Sequence, residues 1–199
     1  MARDETPPFP RGRTFYNGET IDTNDLGGVN LEGKEYKHED TVNGTGLYVT
    51  LRVVRNVSGI TLHPKRLVRY KSGFFGRRVD GYTTTTNEQG YPIDDAYVNG
   101  IANNDLFYVI VEGPCKIKNG TTQATTSVVT EKDPLSGLTS AASTGASTTD
   151  AGRIRTVDTS GATTPLATGI LSVVGRAMSA AATSGVTDTD ILTYVSKTF

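Results

Sequence analysis

An all-β, single-domain fold, barrel-like or jelly-roll-like, is predicted by three features of the sequence. Apolar residues alternate with period two in several short runs, one run is apolar on both faces, and Gly, Asp, Asn or Thr bounds each of them. Helical signal is confined to "GRAMSAAATSG" at 175–185, where Gly175 and Gly185 bracket a single turn too closely for a substantial helix. Short strands at irregular spacing, without intervening helices, argue for a barrel or sandwich and against βαβ units. With 199 residues the chain can bury a real core, since folding at this size removes roughly 70% of the unfolded surface.

The elements follow in chain order. Residues 1–30 carry no apolar period and hold Pro7, Pro8 and Pro10, which favour extended polyproline-like chain. They are expected to form an arm, held by a neighbouring subunit, ahead of one β-rich domain over 31–199. In "GLYVTLRVV" Leu47, Val49, Leu51 and Val53 alternate with Tyr48, Thr50, Arg52 and Val54. "RLVRYK" at 66–71 repeats the alternation after a His63-Pro64 break. "DLFYVIVE" at 105–112 is apolar on both faces, as a strand covered on both sides must be, and Gly113-Pro114 is expected to end or bulge it. Residues 121–152 turn to Ser, Thr, Ala and Gly and predict a long loop that is either disordered or laid on a partner. Strands return at "GRIRTVD", "GILSVVGRAM" and "DILTYVSKTF".

Little in the chain points to chemistry. Cys115 is the only cysteine, which excludes an internal disulfide, and no nearby His lowers its pKa. His38 and His63 stand alone, without the surroundings of a catalytic triad. Asp94-Asp95 would point to opposite faces of extended chain, so a turn role is expected rather than a shared-proton pair. "DTNDLGG" from Asp22 fails as a calcium loop, with Leu26 and Gly33 where oxygen ligands belong. No phosphate-cradling glycine motif is present. Three N-x-[ST] sites, at Asn43, Asn56 and Asn119, read as turn residues. The first thirty residues lack the apolar core of a signal peptide, and no run suits a transmembrane helix. No catalytic residue, metal, cofactor, small-molecule substrate or membrane partner is expected.

The net charge of -1 gives no overall bias towards nucleic acid. Its distribution is uneven, because residues 41–79 hold Arg52, Arg55, Lys65, Arg66, Arg69, Lys71, Arg77 and Arg78 and no acid. The tip of that stretch, "RYKSGFFGRR", interleaves Arg69, Lys71, Arg77 and Arg78 with Tyr70, Phe74 and Phe75. Three readings stay open for it: a stacking platform for single-stranded nucleic acid, a strand edge protected by charge, or a surface for an acidic protein. Many tyrosines also keep a glycan-binding or receptor-binding module open.

Two segments carry a resemblance. "GIANNDLFYVIVEGPCKI" at 100–117 and "ATGILSVVGRAMSAAATSGVTDTDILTYVSKTF" at 167–199 resemble the strand-turn and closing segments of tailed-bacteriophage head decoration, or capsid cement, proteins. The resemblance implies a non-enzymatic virion protein on the outer surface of an icosahedral head, a homotrimer bound to the major capsid protein and clamping neighbouring capsomers. The capsid-facing residues would then be Pro7, Pro8, Phe9, Arg11 and Arg13 of the arm, with Arg69, Lys71, Phe74, Phe75, Arg77 and Arg78 of the basic tip. A virion adhesin and a single-strand nucleic-acid binder using residues 52–78 are the alternatives.

Overall fold

The computed structural model describes residues 7–15, 31–81, 89–119, 129–137, 152–156, 173–179 and 190–196. Ten strands occur among the described residues: β1 Glu35–Glu39, β2 Tyr48–Asn56, β3 Leu67–Tyr70, β4 Arg78–Gly81, β5 Tyr91–Pro92, β6 Leu106–Lys118, β7 Pro134–Gly137, β8 Ile154–Thr156, β9 Val173–Ala177 and β10 Asp190–Val195. No α-helix occurs among the described residues, so the all-β expectation holds. Nine strands follow one hydrogen-bonded path, β5-β3-β4-β2-β6-β10-β9-β7-β8, and β1 pairs with β2 beside it. Among the described residues the sheet is not closed into a barrel. Single bridges from Ile93 to Val109 and from Asn119 to Ile154 bring the two ends of the path back towards β6.

β6 is the strand around which the rest is arranged. Leu106, Phe107, Tyr108, Val109, Ile110 and Val111 are all buried, which accounts for a sequence apolar on both faces. Up to Glu112 it pairs with β2, and from Gly113 onward it pairs with β10. The transition falls at Gly113, whose φ of 110° is open to glycine. A Cβ there would sit 2.4 Å from the Tyr48 carbonyl oxygen. Of the two outcomes expected at Gly113-Pro114, the strand does not end there: it runs through as one strand and changes partner. Pro114 lies opposite Tyr194 in the β10 ladder, whose register runs on without a break from Gly113 to Lys118.

β2 alternates from Tyr48 to Val53, with Val49, Leu51 and Val53 in the core and Tyr48 exposed, but Val54, expected on the opposite face, is buried as well, and so are Arg55 and Asn56. β3 and β4 form a hairpin, and β4 runs parallel to β2. Three differences from the sequence reading concern the remaining strands. β7 lies within the stretch 121–152 read as loop, with Leu135 and Val129 buried. β9 falls inside "GILSVVGRAM", where a strand is expected, but runs on through Gly175 into the expected helical turn; Gly175 packs against the Tyr194 backbone, where a Cβ would approach the carbonyl oxygen to 2.1 Å. β1, "EYKHE", buries Tyr36 on one face and leaves charged residues on the other. The rest of the 175–185 segment lies outside the described residues.

Candidate docking surface

Two stretches proposed from sequence as partner-binding take up opposite situations. Residues 7–15 of the arm are packed against their own domain. Phe9 is buried, stacks on Tyr108 at 4.4 Å between ring centroids and lies 5.9 Å from the Phe15 ring. The Tyr108 hydroxyl donates to the Phe9 carbonyl at 2.7 Å. Burial pushes the Tyr108 phenol up, so it remains a donor. Phe15 bridges Leu106 at the start of β6. Arg11 reaches the turn after β5, where Nε donates to Asp94 Oδ2 at 3.0 Å and Nη2 to Asp94 Oδ1 at 2.7 Å. Asp95 Oδ1 lies 3.6 Å from the same Nη2. A neighbouring subunit is not needed to hold these residues. Pro7 and Pro8 are half-buried and Arg13 is exposed.

The acid pair belongs to a turn, as expected, yet both carboxylates approach one guanidinium. Asp94 accepts from the Ala96 N–H, and the turn lifts the pair out of the extended geometry that would have separated them. Asp95 Oδ2 accepts from the Lys116 N–H and the Asn43 side-chain amide, both at 2.8 Å. Burial pushes the Asp95 carboxyl above its ordinary range, against the lowering effect of those two donors. The ion-pair role of this turn was invisible in sequence, because Arg11 and Asp94 are 83 positions apart.

The β3–β4 tip, residues 71–77, turns outward. Its backbone takes positive φ at Gly73, Phe75 and Gly76, with 50° at Phe75. A bulky side chain rarely adopts that region. Phe75 is nevertheless 88% exposed. The structure beneath is braced: the Arg78 guanidinium lies 4.7 Å from the Phe74 ring centroid, and its Nε is 3.1 Å from buried Glu32, which also pairs with Arg55. Arg52 joins Glu35 to the Tyr70 hydroxyl, at 3.0 and 2.8 Å. Burial pushes the Tyr70 phenol up, leaving it neutral beside Arg52. Arg77 is exposed and has no ion pair among the described residues. Phe75 and Arg77 are thus presented to solvent on a supported turn.

The basic run is largely neutralised by acids from elsewhere in the chain. Arg52 pairs with Glu35, Arg55 and Arg78 with Glu32, and Lys65 with Asp190. Lys71 lies 3.8 Å from Asp80 and donates to the Val57 carbonyl. Arg69 is half-buried and also engaged. Glu32 and Glu35, the acids that brace the tip, precede the run in sequence, so composition alone could not assign them to it. Cys115 is buried, and burial pushes its thiol well up. Among the described residues no group of three or more His, Cys, Asp or Glu could hold a metal. No described helix is long and apolar enough to cross a membrane. The rejected calcium loop at 22–33 falls mostly outside the described residues.

No family model and no curated protein matches the chain. Among solved structures the chain is similar to the N base of the head fiber gp8.5 of bacteriophage phi29, at 16% identity over 75% of this chain and 95% of that one, with a TM-score of 0.41. A likeness at this identity and score assigns no activity to the present chain.

Proposed function

We propose that this chain is a structural virion protein, a capsid decoration or cement protein that binds the outer surface of an icosahedral head and clamps neighbouring copies of the major capsid protein, acting as a homotrimer. The observation that carries the reading is Phe75, 88% exposed on left-handed backbone and supported from behind by the Arg78–Glu32–Arg55 ion pairs. An exposed ring held this way loses little conformational freedom on binding, which is what an interface anchor requires. Arg77 beside it favours an acidic protein surface. The segments at 100–117 and 167–199 that resemble cement proteins support the same assignment.

A cement protein needs no catalytic group. It stabilises a shell by binding the assembled lattice in preference to its dispersed subunits, and many copies multiply the effect. Pairing of Arg52, Arg55, Lys65 and Arg78 with carboxylates leaves little of the 52–78 charge for a nucleic-acid backbone, so the protein-docking reading is preferred.

The test is co-sedimentation of the purified chain with assembled shells, together with the temperature at which those shells disrupt. Saturable decoration and a raised disruption temperature are expected, both lost in Phe75→Ala/Arg77→Ala. Binding to free capsid subunits and shells alike, or decoration unaffected by the double substitution, would remove the proposal. Sugar-dependent binding to host cells without shell binding would instead favour an adhesin.

A further inference from the structure

The cleft that receives the arm is made by the body of the chain, from Leu106 and Tyr108 on β6 and from the turn Asp94–Tyr97 after β5. Asp94 has a fully buried side chain, and Arg11 is the cation within ion-pair distance of it among the described residues. Without an occupant, the Asp94 carboxylate would keep the Ala96 N–H but lose its cation, and the Tyr108 hydroxyl would lose the Phe9 carbonyl it donates to, so the site is incomplete unless a segment of this chemistry fills it. The occupant is the nine-residue segment 7–15, connected to the body through residues 16–30. Fifteen residues can reach roughly 50 Å at about 3.3 Å each.

We propose that this cleft is a recognition site for an aromatic-Pro-Arg segment whose occupant can be exchanged, so that the arm of one copy seats in the cleft of a second copy. Phe9 supplies the ring for Tyr108, and Arg11 the fork for Asp94 and Asp95. Every contact made within one chain is available between two, because arm and cleft are the same in both. The choice between them is set by effective concentration, which favours the internal arrangement in dilute solution and the exchanged one where copies are held side by side. This inference does not depend on the capsid reading.

Two full-length variants test it. A Cβ at Gly12 would lie 3.5 Å from the Ala96 Cβ, within disulfide range, and Cys115 is buried. Gly12→Cys and Ala96→Cys chains, mixed at high concentration and oxidised, are expected to give a heterodimer. Adding Arg11→Glu to the Gly12→Cys chain should abolish it. Absence of the heterodimer, when one chain carrying both cysteines closes its own disulfide, would overturn the proposal.

Cysteine at Gly12 must accept a φ of 79° and would bring its Cβ to 2.6 Å from the Ala96 carbonyl oxygen, so a second measurement avoids that position. A fluorescein-labelled peptide of residues 7–15 is titrated into full-length Arg11→Glu protein and followed by anisotropy. Saturable binding is expected, at least tenfold tighter than to the wild-type chain, whose own arm competes, and lost when the peptide carries Arg11→Ala. No binding would overturn the proposal, as would equal binding to both proteins, which would place the peptide elsewhere. Unfolding of the Arg11→Glu chain would also overturn it, by making the arm a fixed part of the core.

Discussion

The arm and the β3–β4 tip are built from the same materials and end in opposite conditions. Each offers aromatic rings and arginines beside residues that constrain the backbone, prolines in one and glycines in the other. In the arm, Phe9 finds Tyr108 and Arg11 finds Asp94, so ring and charge are both satisfied within the chain. At the tip, Phe74 and Arg78 are likewise satisfied, but Phe75 and Arg77 are left outward. Composition announces a sticky segment; only the complementary group elsewhere in the fold decides whether it sticks to its own body or to another. An exposed ring held in a left-handed conformation is therefore more informative about a partner than the density of basic residues around it.

The largest effect should come from making the arm resemble the tip. Arg11→Ala removes the cation from a buried carboxylate, a change that typically costs about 3–5 kcal/mol. Because the arm can leave and let water reach Asp94, the loss should appear at the lower end and locally. The expectation is a roughly 100-fold faster hydrogen exchange at the Phe15 and Leu106 amides, which bond each other's carbonyls across 2.9 and 2.8 Å, at about 1.4 kcal/mol per tenfold change. Exchange in β9 and β10 should hardly change. Uniform acceleration through the sheet would mean that the arm is a core element and that the contrast with the tip is one of degree.

Next is the tip itself. Phe75→Gly removes the ring and relieves the φ of 50°, so stability should rise by about 0.5–1 kcal/mol. Docking to shells should weaken about 30-fold, as expected for an interface anchor near 2 kcal/mol. Denaturant midpoints and shell titrations read the two quantities separately. A variant that is less stable and binds normally would show that Phe75 serves the fold and not a partner.

Much of the sheet was legible because its period-two signal was local. β2, β3, β6, β8, β9 and β10 all fall where apolar alternation or apolar runs placed strands. β1 and β4 were not, since "EYKHE" and "RVDG" owe their conformation to ladders with β2 and β3 rather than to their own residues. β7 was hidden inside a low-complexity stretch for the same reason. The exposed tip could be read from "SGFFGRR", where glycines flank the rings. The internal docking of Phe9 and Arg11 could not, because it depends on contacts separated by 99 and 83 positions. The path of the chain through Gly113 was only half legible: its glycine marked a special backbone, but the β10 ladder beyond it supplied the continuation.

Arg77 sharpens the contrast with less force. An exposed charge contributes mainly through long-range attraction, and removing it should weaken shell binding by about fivefold at low salt, roughly 1 kcal/mol, through a slower association rate. The difference should vanish above about 0.5 M salt, where screening shortens the Debye length to a few ångströms. A fivefold loss that persists at high salt would instead indicate a buried contact made on docking.

The smallest effect separates the two regions by pH. Burial lifts the Asp95 carboxyl above its ordinary range, so the folded state holds this proton more tightly than the unfolded one. The resulting stabilisation is fully present below the ordinary carboxyl range near pH 4 and is lost as pH rises through the folded-state value. Asp95→Asn cannot make this change of charge, and its carbonyl oxygen can still accept from Lys116 and Asn43. The free energy of unfolding, taken from urea titrations at pH values upward from about 3, should therefore fall more in the wild type than in the variant. The tip segment 71–77 contains no carboxylate, so shell binding should be the same for both proteins at every pH in that series. If docking followed the Asp95 profile, the arm and the tip would be parts of one coupled surface, and their opposite conditions in the folded chain would be linked rather than independent.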